Sequence, residues 1–193
     1  MPSSAKQCCV IAFAGRRTDA ANAEKSRFPF EQVPAVRKAL IRLFLRERAL
    51  WLVASGACGS DLAALEAAQV IGIRSRIVLP FSSHHFRRTS VVDRPHAEYW
   101  GSLFDRLTAD ATSRNDLVVL DSQESAPSSY SRVSRAIICE ANLLASAGVE
   151  RRRIAVIAWD GAQHSEMDFT KEFADLAIEA GFVLEEVSTS ARR

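Results

Sequence analysis

The stretch Leu50-Trp51-Leu52-Val53-Ala54-Ser55-Gly56-Ala57-Cys58-Gly59-Ser60-Asp61 begins as a continuous apolar run and becomes, at Ser55, a short segment with two glycines. An apolar run without alternating polar residues is typical of a strand that is buried on both faces. The glycines permit a tight turn and close approach of the backbone. An alanine-rich segment then places Leu62, Leu65 and Ala68 at helical spacing. The stretch therefore predicts a strand, a turn and a helix of an α/β protein.

Five further short apolar runs alternate with amphipathic helical patterns along the chain. They lie at residues 9–14, 76–79, 117–120, 154–159 and 182–187. Gly72, Gly148 and Gly181 each follow a helical pattern, where the chain often needs a left-handed conformation. We therefore predict one Rossmann-like α/β domain over residues 1–193. It is a doubly wound, mainly parallel sheet of about six strands with helices on both faces, and residues 1–7 and 189–193 are expected to be flexible termini.

The amino-acid composition limits the classes of function that the chain can have. The chain has 193 residues, of which 48% are hydrophobic, and a formal net charge of +2. That charge gives no indication that nucleic acid or a membrane surface is the main partner. The four cysteines show no paired spacing, which favours reduced thiols, and no apolar run reaches the length of a membrane span. We expect a cytoplasmic protein without a membrane partner, and His84, His85 and His96 do not form a recognisable metal cage.

The segment from Ser55 to Asp61, called here the 55–61 turn, has the features of an anion site. N–H groups at a helix start point toward an anion, and the helix dipole favours negative charge there. We predict that this turn binds phosphate through Ser55, Gly56, Ala57, Cys58, Gly59, Ser60 and Asp61. An ordinary helix cap by Ser60 or Asp61 is the alternative. The glycine spacing matches neither the dinucleotide fingerprint nor the P-loop.

Two other features accompany the 55–61 turn. Cys58 lies near the predicted helix start, where the dipole can lower the pKa of a thiol. Packing of a small side chain is the competing interpretation, because no histidine is placed to activate it. The basic segment at residues 82–95 follows the third strand, where it could close over a polyanionic ligand or lie as a solvated loop.

Short blocks in a fixed order resemble the SLOG superfamily. The first blocks are Ala14-Gly15-Arg16, Arg27-Phe28-Pro29 and the 55–61 turn. Blocks that resemble the sensor-type branch follow, at Val78-Leu79-Pro80-Phe81, Phe86, Thr89-Ser90-Val91, residues 100–104 and Trp159-Asp160-Gly161. The likeness extends over residues 10–187 by order of elements. The superfamily groups the Lonely Guy phosphoribohydrolases with DNA-processing protein A and with stand-alone nucleotide-sensor domains.

The resemblance implies a Rossmann-like sheet whose loops bind a nucleotide or a nucleotide-derived molecule. It places Gly15 and Arg16 beside the ligand and the 55–61 turn around phosphate. Arg16 would supply a planar, always-charged fork, with a surface arginine as the alternative. The other ligand-binding residues expected from these blocks are Arg27, Phe81, Arg87, Ser90, Asp160 and Gly161.

One departure from the family concerns catalysis. Lonely Guy enzymes carry a P-G-G-x-G-T-x-x-E turn, whereas residues 162–170 here contain no paired glycines. Glycosidic cleavage also needs a positioned carboxylate, for which Asp61, Glu66 and Asp160 are the candidates. None of the three has a partner that spacing identifies. Asp168 is better explained as the N-cap of the last helix.

The leading hypothesis is a module that binds or senses a nucleotide-type phosphate ligand at the carboxyl edge of the sheet. The alternatives are a nucleoside-monophosphate phosphoribohydrolase and a protein that binds single-stranded DNA. The sequence pattern S-G-A-x-G-x-D of the turn and the arginines Arg87 and Arg88 motivate the DNA alternative. We expect no cofactor, and a homodimer and a separate effector protein stay open as partners.

Overall fold

The computed structural model describes residues 7–120, 127–147, 151–162 and 168–190. Their six strands form one sheet, in the order β4-β3-β2-β1-β5-β6. All five strand pairings are parallel. The strands are β1 (Cys9–Gly15), β2 (Ala49–Ala54), β3 (Arg74–Leu79), β4 (Leu117–Val119), β5 (Arg152–Trp159) and β6 (Val183–Ser188). The predicted Rossmann-like α/β sheet is confirmed.

Six α-helices connect these strands within the described residues. They are α1 (Val33–Glu47), α2 (Ser60–Val70), α3 (Ser83–Phe86), α4 (Ala97–Ser113), α5 (Pro127–Ser146) and α6 (Phe169–Glu179). Apolar side chains of α1, α2 and α4 pack on one face of the sheet. Those of α5 and α6 pack on the other face. Burial on both faces explains why the strands read as apolar runs rather than as alternating patterns.

The strand order reverses at the centre of the sheet. β1 pairs with β2 on one side and with β5 on the other. The connection from β1 therefore leads toward β2, β3 and β4, and the chain returns to the other side of β1 for β5. In open α/β sheets, ligands bind at such a switch point, outside the carboxyl ends of the strands.

Helix ends follow the predicted chemistry where the structure describes them. Gly72 and Gly181 have φ angles of +74° and +79°. The side chain of Asp168 accepts hydrogen bonds from the amides of Thr170 and Lys171, which confirms it as the N-cap of α6. Gly148 lies outside the described residues. None of the helices that the structure describes is long and apolar enough to cross a membrane.

The interpretation of residues 82–95 as a solvated loop needs correction. Residues 82–95 are not simply a solvated loop, because helix α3 and a π-helical turn at Arg87–Val91 occupy most of them. The aromatic ring of Phe86 is buried there and fixes the segment to the core. Thr189, the first residue of the C-terminal segment expected to be flexible, is fully buried, and its Oγ1 donates to the carbonyl of Arg27 at 3.1 Å; the flexibility of residues 189–193 stays a prediction.

Candidate functional site

A cleft of about 770 Å³ opens at the switch point, where the loops that follow β1 and β2 meet the first turns of α5 and α6. This volume lies within the range of small-molecule sites. Gly15 and Arg16 reach the cleft from the end of β1, Ser55 from the loop after β2, Asp61 from α2 and Tyr130 from α5. The parallel sheet therefore brings the two predicted turns to one edge, as sequence reasoning expected.

The 55–61 turn packs closely against the loop after β1. The amide and the hydroxyl of Ser60 both donate to the carbonyl of Arg16, at 3.0 and 2.9 Å. The amide of Cys58 donates to the carbonyl of Ser90 at 3.0 Å. These donors are therefore engaged within the protein, and an anion in the cleft would be held mainly by side chains.

The start of α2 also differs from the capping alternative. The N-cap is Gly59, which has no side chain to accept a hydrogen bond, and the helix begins at Ser60. Ser60 and Asp61, the two residues predicted as caps, both lie inside the helix. The amide of Ala57 donates to Oδ2 of Asp61 at 3.4 Å, so this carboxyl closes the turn from inside the helix.

Arg16 links the two sides of the switch point. Its Nε donates to Oδ1 of Asp160 at 3.1 Å, and its Nη2 donates to Oδ2 of Asp168 at 2.8 Å. The same Nη2 donates to the carbonyl of Ala162 at 2.8 Å. The guanidinium thus joins the loop after β1 to the loop after β5. Contact with phosphate would require it to leave these carboxylates.

Three cations that line the cleft form no ion pair with a described residue. Lys25, Arg27 and Arg94 line the cleft, and their side chains form no ion pair with any described residue. The carboxylate of Asp19 shapes the loop that carries the first two, because it accepts hydrogen bonds from the amides of Arg27 and Phe28 and from the hydroxyl of Ser26. An anion in the cleft would reach these three cations without displacing an ion pair between described residues.

Arg17 lies deeper in the cleft beside Cys58. Its Nη2 donates to Sγ of Cys58 at 3.3 Å and to the carboxylate of Asp93. Burial raises the pKa of the Cys58 thiol, although the charge of Arg17 acts in the opposite direction. The helix start therefore does not produce a reactive thiolate, because Cys58 is fully buried. Small-residue packing describes this cysteine better than nucleophilic chemistry.

Asp61 is a buried acid on the wall of the cleft. Its Oδ1 has no hydrogen-bond partner among the described residues. Burial raises the pKa of Asp61 to about 7, although the amide of Ala57 and the charge of Arg17 lower it. Near neutral pH the carboxyl is therefore part protonated, which reduces repulsion of an anionic ligand in the same cleft.

We expect Asp61→Asn to become more stable relative to the wild type as pH rises. Between the ordinary value of 3.8 and about 7, the folded protein keeps a proton that the unfolded chain has lost. The free energy of unfolding of the wild type therefore falls over this interval, by up to about 4 kcal/mol. Urea unfolding of both proteins at pH 4 and pH 8 measures the difference. A difference that is the same at both pH values would contradict a raised pKa.

Some of the residues predicted to bind the ligand line the cleft, and others lie outside it. Those that line the cleft are Gly15, Arg16, Arg27, Ser55, Ala57, Asp61 and Ser90. Gly56, Cys58, Gly59, Ser60, Phe81, Arg87, Asp160 and Gly161 do not line it. Arg87 instead donates to Asp105 of α4 at 2.8 Å.

The three carboxylates considered for catalysis are not brought together. Glu66 of α2 lies outside the cleft, where it accepts a hydrogen bond from Arg37 of α1 at 2.6 Å. Asp160 is bound to Arg16, and only Asp61 of the three lines the cleft. Within the described ranges, no group of three His, Cys, Asp or Glu side chains could hold a metal ion.

Several cleft residues escaped sequence reasoning. Tyr130, Ser134, Phe169 and Thr170 belong to helices on the far side of the sheet from α2. Val133 and Phe173, nearby on the same two helices, are buried in the core. A possible signal is the position of Tyr130 and Phe169 in the first turns of their helices, because first turns after parallel strands lie at the carboxyl edge.

No family model and no curated protein sequence matches the chain. Its fold is similar to that of DNA processing protein A from Helicobacter pylori, whose solved structure concerns a single-stranded DNA binding mode. The TM-score is 0.54 at 15% identity, over 97% of this chain and 67% of the other. DNA processing protein A from Streptococcus pneumoniae gives a TM-score of 0.42 at 16% identity, over 93% of this chain and 61% of the other. At this identity the first likeness establishes a shared fold.

Proposed function

We propose that the cleft at the switch point binds a nucleotide-type phosphate ligand, and that the chain is a SLOG-type binding module. The observation that carries the proposal is the convergence of Lys25, Arg27 and Arg94 on one cleft without ion-pair partners among the described residues. Unpaired cations around a concave site attract a polyanion of matching size.

The location of the cleft supports the same proposal. It lies outside the carboxyl ends of β1 and β5, where open α/β sheets bind ligands. The partly protonated carboxyl of Asp61 lets an anion approach at neutral pH. Binding rather than hydrolysis is favoured, because two of the three candidate carboxylates for catalysis, Glu66 and Asp160, do not line the cleft.

Binding of single-stranded DNA is the second candidate. The fold shared with the Helicobacter pylori protein favours it, together with the S-G-A-x-G-x-D wording of the 55–61 turn. A single strand would place one phosphate near the same cations. Its affinity should then fall steeply with salt, because each phosphate contact releases a counterion.

Calorimetric titration of the chain separates these functions. We expect saturable binding of AMP, ADP, a dinucleotide or a cyclic ADP-ribose derivative at one site per chain. An oligothymidylate of about 12 nucleotides, titrated at low and high salt, tests the DNA candidate. Absence of any mononucleotide or dinucleotide binder would remove the first proposal. Chromatography of the AMP mixture tests hydrolysis, for which free adenine and ribose phosphate must appear.

A further inference from the structure

Two aromatic rings form part of the cleft wall. Tyr130 of α5 and Phe169, the first residue of α6, both line the cleft. Their ring centroids lie 5.4 Å apart with an interplanar angle of 41°. Both side chains are half-buried, whereas the large rings Phe13, Phe173 and Trp100 are fully buried in the core. The two rings therefore present part of their surface to the cleft.

Contacts on both sides hold these rings in place. The hydroxyl of Tyr130 lies 3.4 Å from the hydroxyl of Ser90, which belongs to the π-helical turn. Phe169 follows Asp168, whose carboxylate caps α6 and also binds Arg16. A planar ligand group would meet a preorganised aromatic surface and would not have to order it, which lowers the entropic cost of binding.

The remaining lining fits a ligand with one apolar and one anionic end. Phe86, Val133 and Ile137 line the same cleft as the two rings. Lys25, Arg27 and Arg94 are the cations of this lining that form no ion pair with a described residue. A phosphate alone would use only the cations and would leave the aromatic and aliphatic surface in water.

We propose that Tyr130 and Phe169 receive the nucleobase of the ligand by stacking, while Lys25, Arg27 and Arg94 hold its phosphate. The inference rests on the proposed function and extends it to a base subsite. Stacking uses the π-face that every base possesses, so the site should accept purines and pyrimidines alike. Sugar phosphates without a base should bind weakly.

The test compares AMP, CMP and ribose 5-phosphate on the full chain and on three variants. Tyr130→Leu should weaken AMP binding by about tenfold or more, and ribose 5-phosphate binding by much less. Tyr130→Phe keeps the ring and should stay within about threefold of the wild type. Tyr99→Leu is the matched control, because Tyr99 is the other tyrosine and does not line the cleft. Phe169→Leu replaces Tyr130→Leu if the latter does not fold.

Fluorescence of a 2-aminopurine nucleotide adds a readout specific to stacking. It should be quenched on binding to the wild type and to Tyr130→Phe, and less so on binding to Tyr130→Leu. Equal affinity of the wild type for AMP and ribose 5-phosphate would overturn the base subsite and leave phosphate binding intact. Failure of all three compounds to bind the wild type would overturn both proposals.

Discussion

Gly59→Ala should lower the free energy of unfolding by about 3–4 kcal/mol. Gly59 has a φ of +114° and a ψ of −129°, outside the left-handed helical region, and this conformation costs an L-residue about 1–3 kcal/mol. An added Cβ would also lie 2.7 Å from the carbonyl oxygen of Arg16 and 2.8 Å from the Cα of Arg17. Both contacts are with backbone, so relief requires the loop after β1 to move, at a further cost of about 1–3 kcal/mol. Thermal unfolding should show a fall of roughly 10 °C.

Gly72→Ala is the matched control for this substitution. Gly72 also has a positive φ, of +74°, but a Cβ there would meet no atom within 4 Å. It should lose only about 1 kcal/mol, from backbone strain alone. Equal losses in the two variants would show that conformation matters at Gly59 and that its close approach to the loop after β1 does not.

Arg94→Glu should weaken binding of the nucleotide by about tenfold or more. Arg94 lines the cleft and forms no ion pair with a described residue, so its charge is available to the ligand. The glutamate would remove one attraction and add one repulsion. Calorimetric titration with the best binder among the compounds above measures the change in affinity. Added salt should reduce the difference in affinity between the variant and the wild type, because it screens the charges.

Arg135→Glu makes the same change of charge at an exposed position on α5 outside the cleft. The affinity of this variant for the nucleotide should stay within about twofold of that of the wild type, because distant exposed charges are screened at physiological salt. Similar losses in Arg94→Glu and Arg135→Glu would point to overall charge rather than to the cleft. That outcome would contradict the assignment of the phosphate to this site.

The fold was predictable from the sequence because most buried positions carry an apolar residue. Strands covered on both faces must be largely apolar, and the predicted runs lie within two residues of the observed strands at every boundary. The glycines after helices and the cap at Asp168 are local features, so local sequence also identified them. The strand order β4-β3-β2-β1-β5-β6 was known only from the structure, because the spacing of residues within a strand does not depend on which strand pairs with it.

The 55–61 turn illustrates the limit at the candidate site. Its glycines correctly indicated close approach of another group, and in the structure the group beside Gly59 is the backbone of residues 16–18. Likewise, the sequence presented Arg16 as a charged fork but could not show that Asp160 and Asp168 occupy it. Contacts between residues about 150 positions apart depend on how strands pair, which no local pattern contains.

The sequence by itself determined a parallel α/β sheet, the places of its turns and the presence of a glycine-dependent junction after β2. Only the tertiary structure decided which side chains share the cleft. It joined Lys25 and Arg27 after β1, Arg94 after β3 and the rings of Tyr130 and Phe169 from two helices on the opposite face. Helical and strand periodicity reports which face of an element is buried, whereas a binding site forms where the ends of several elements meet.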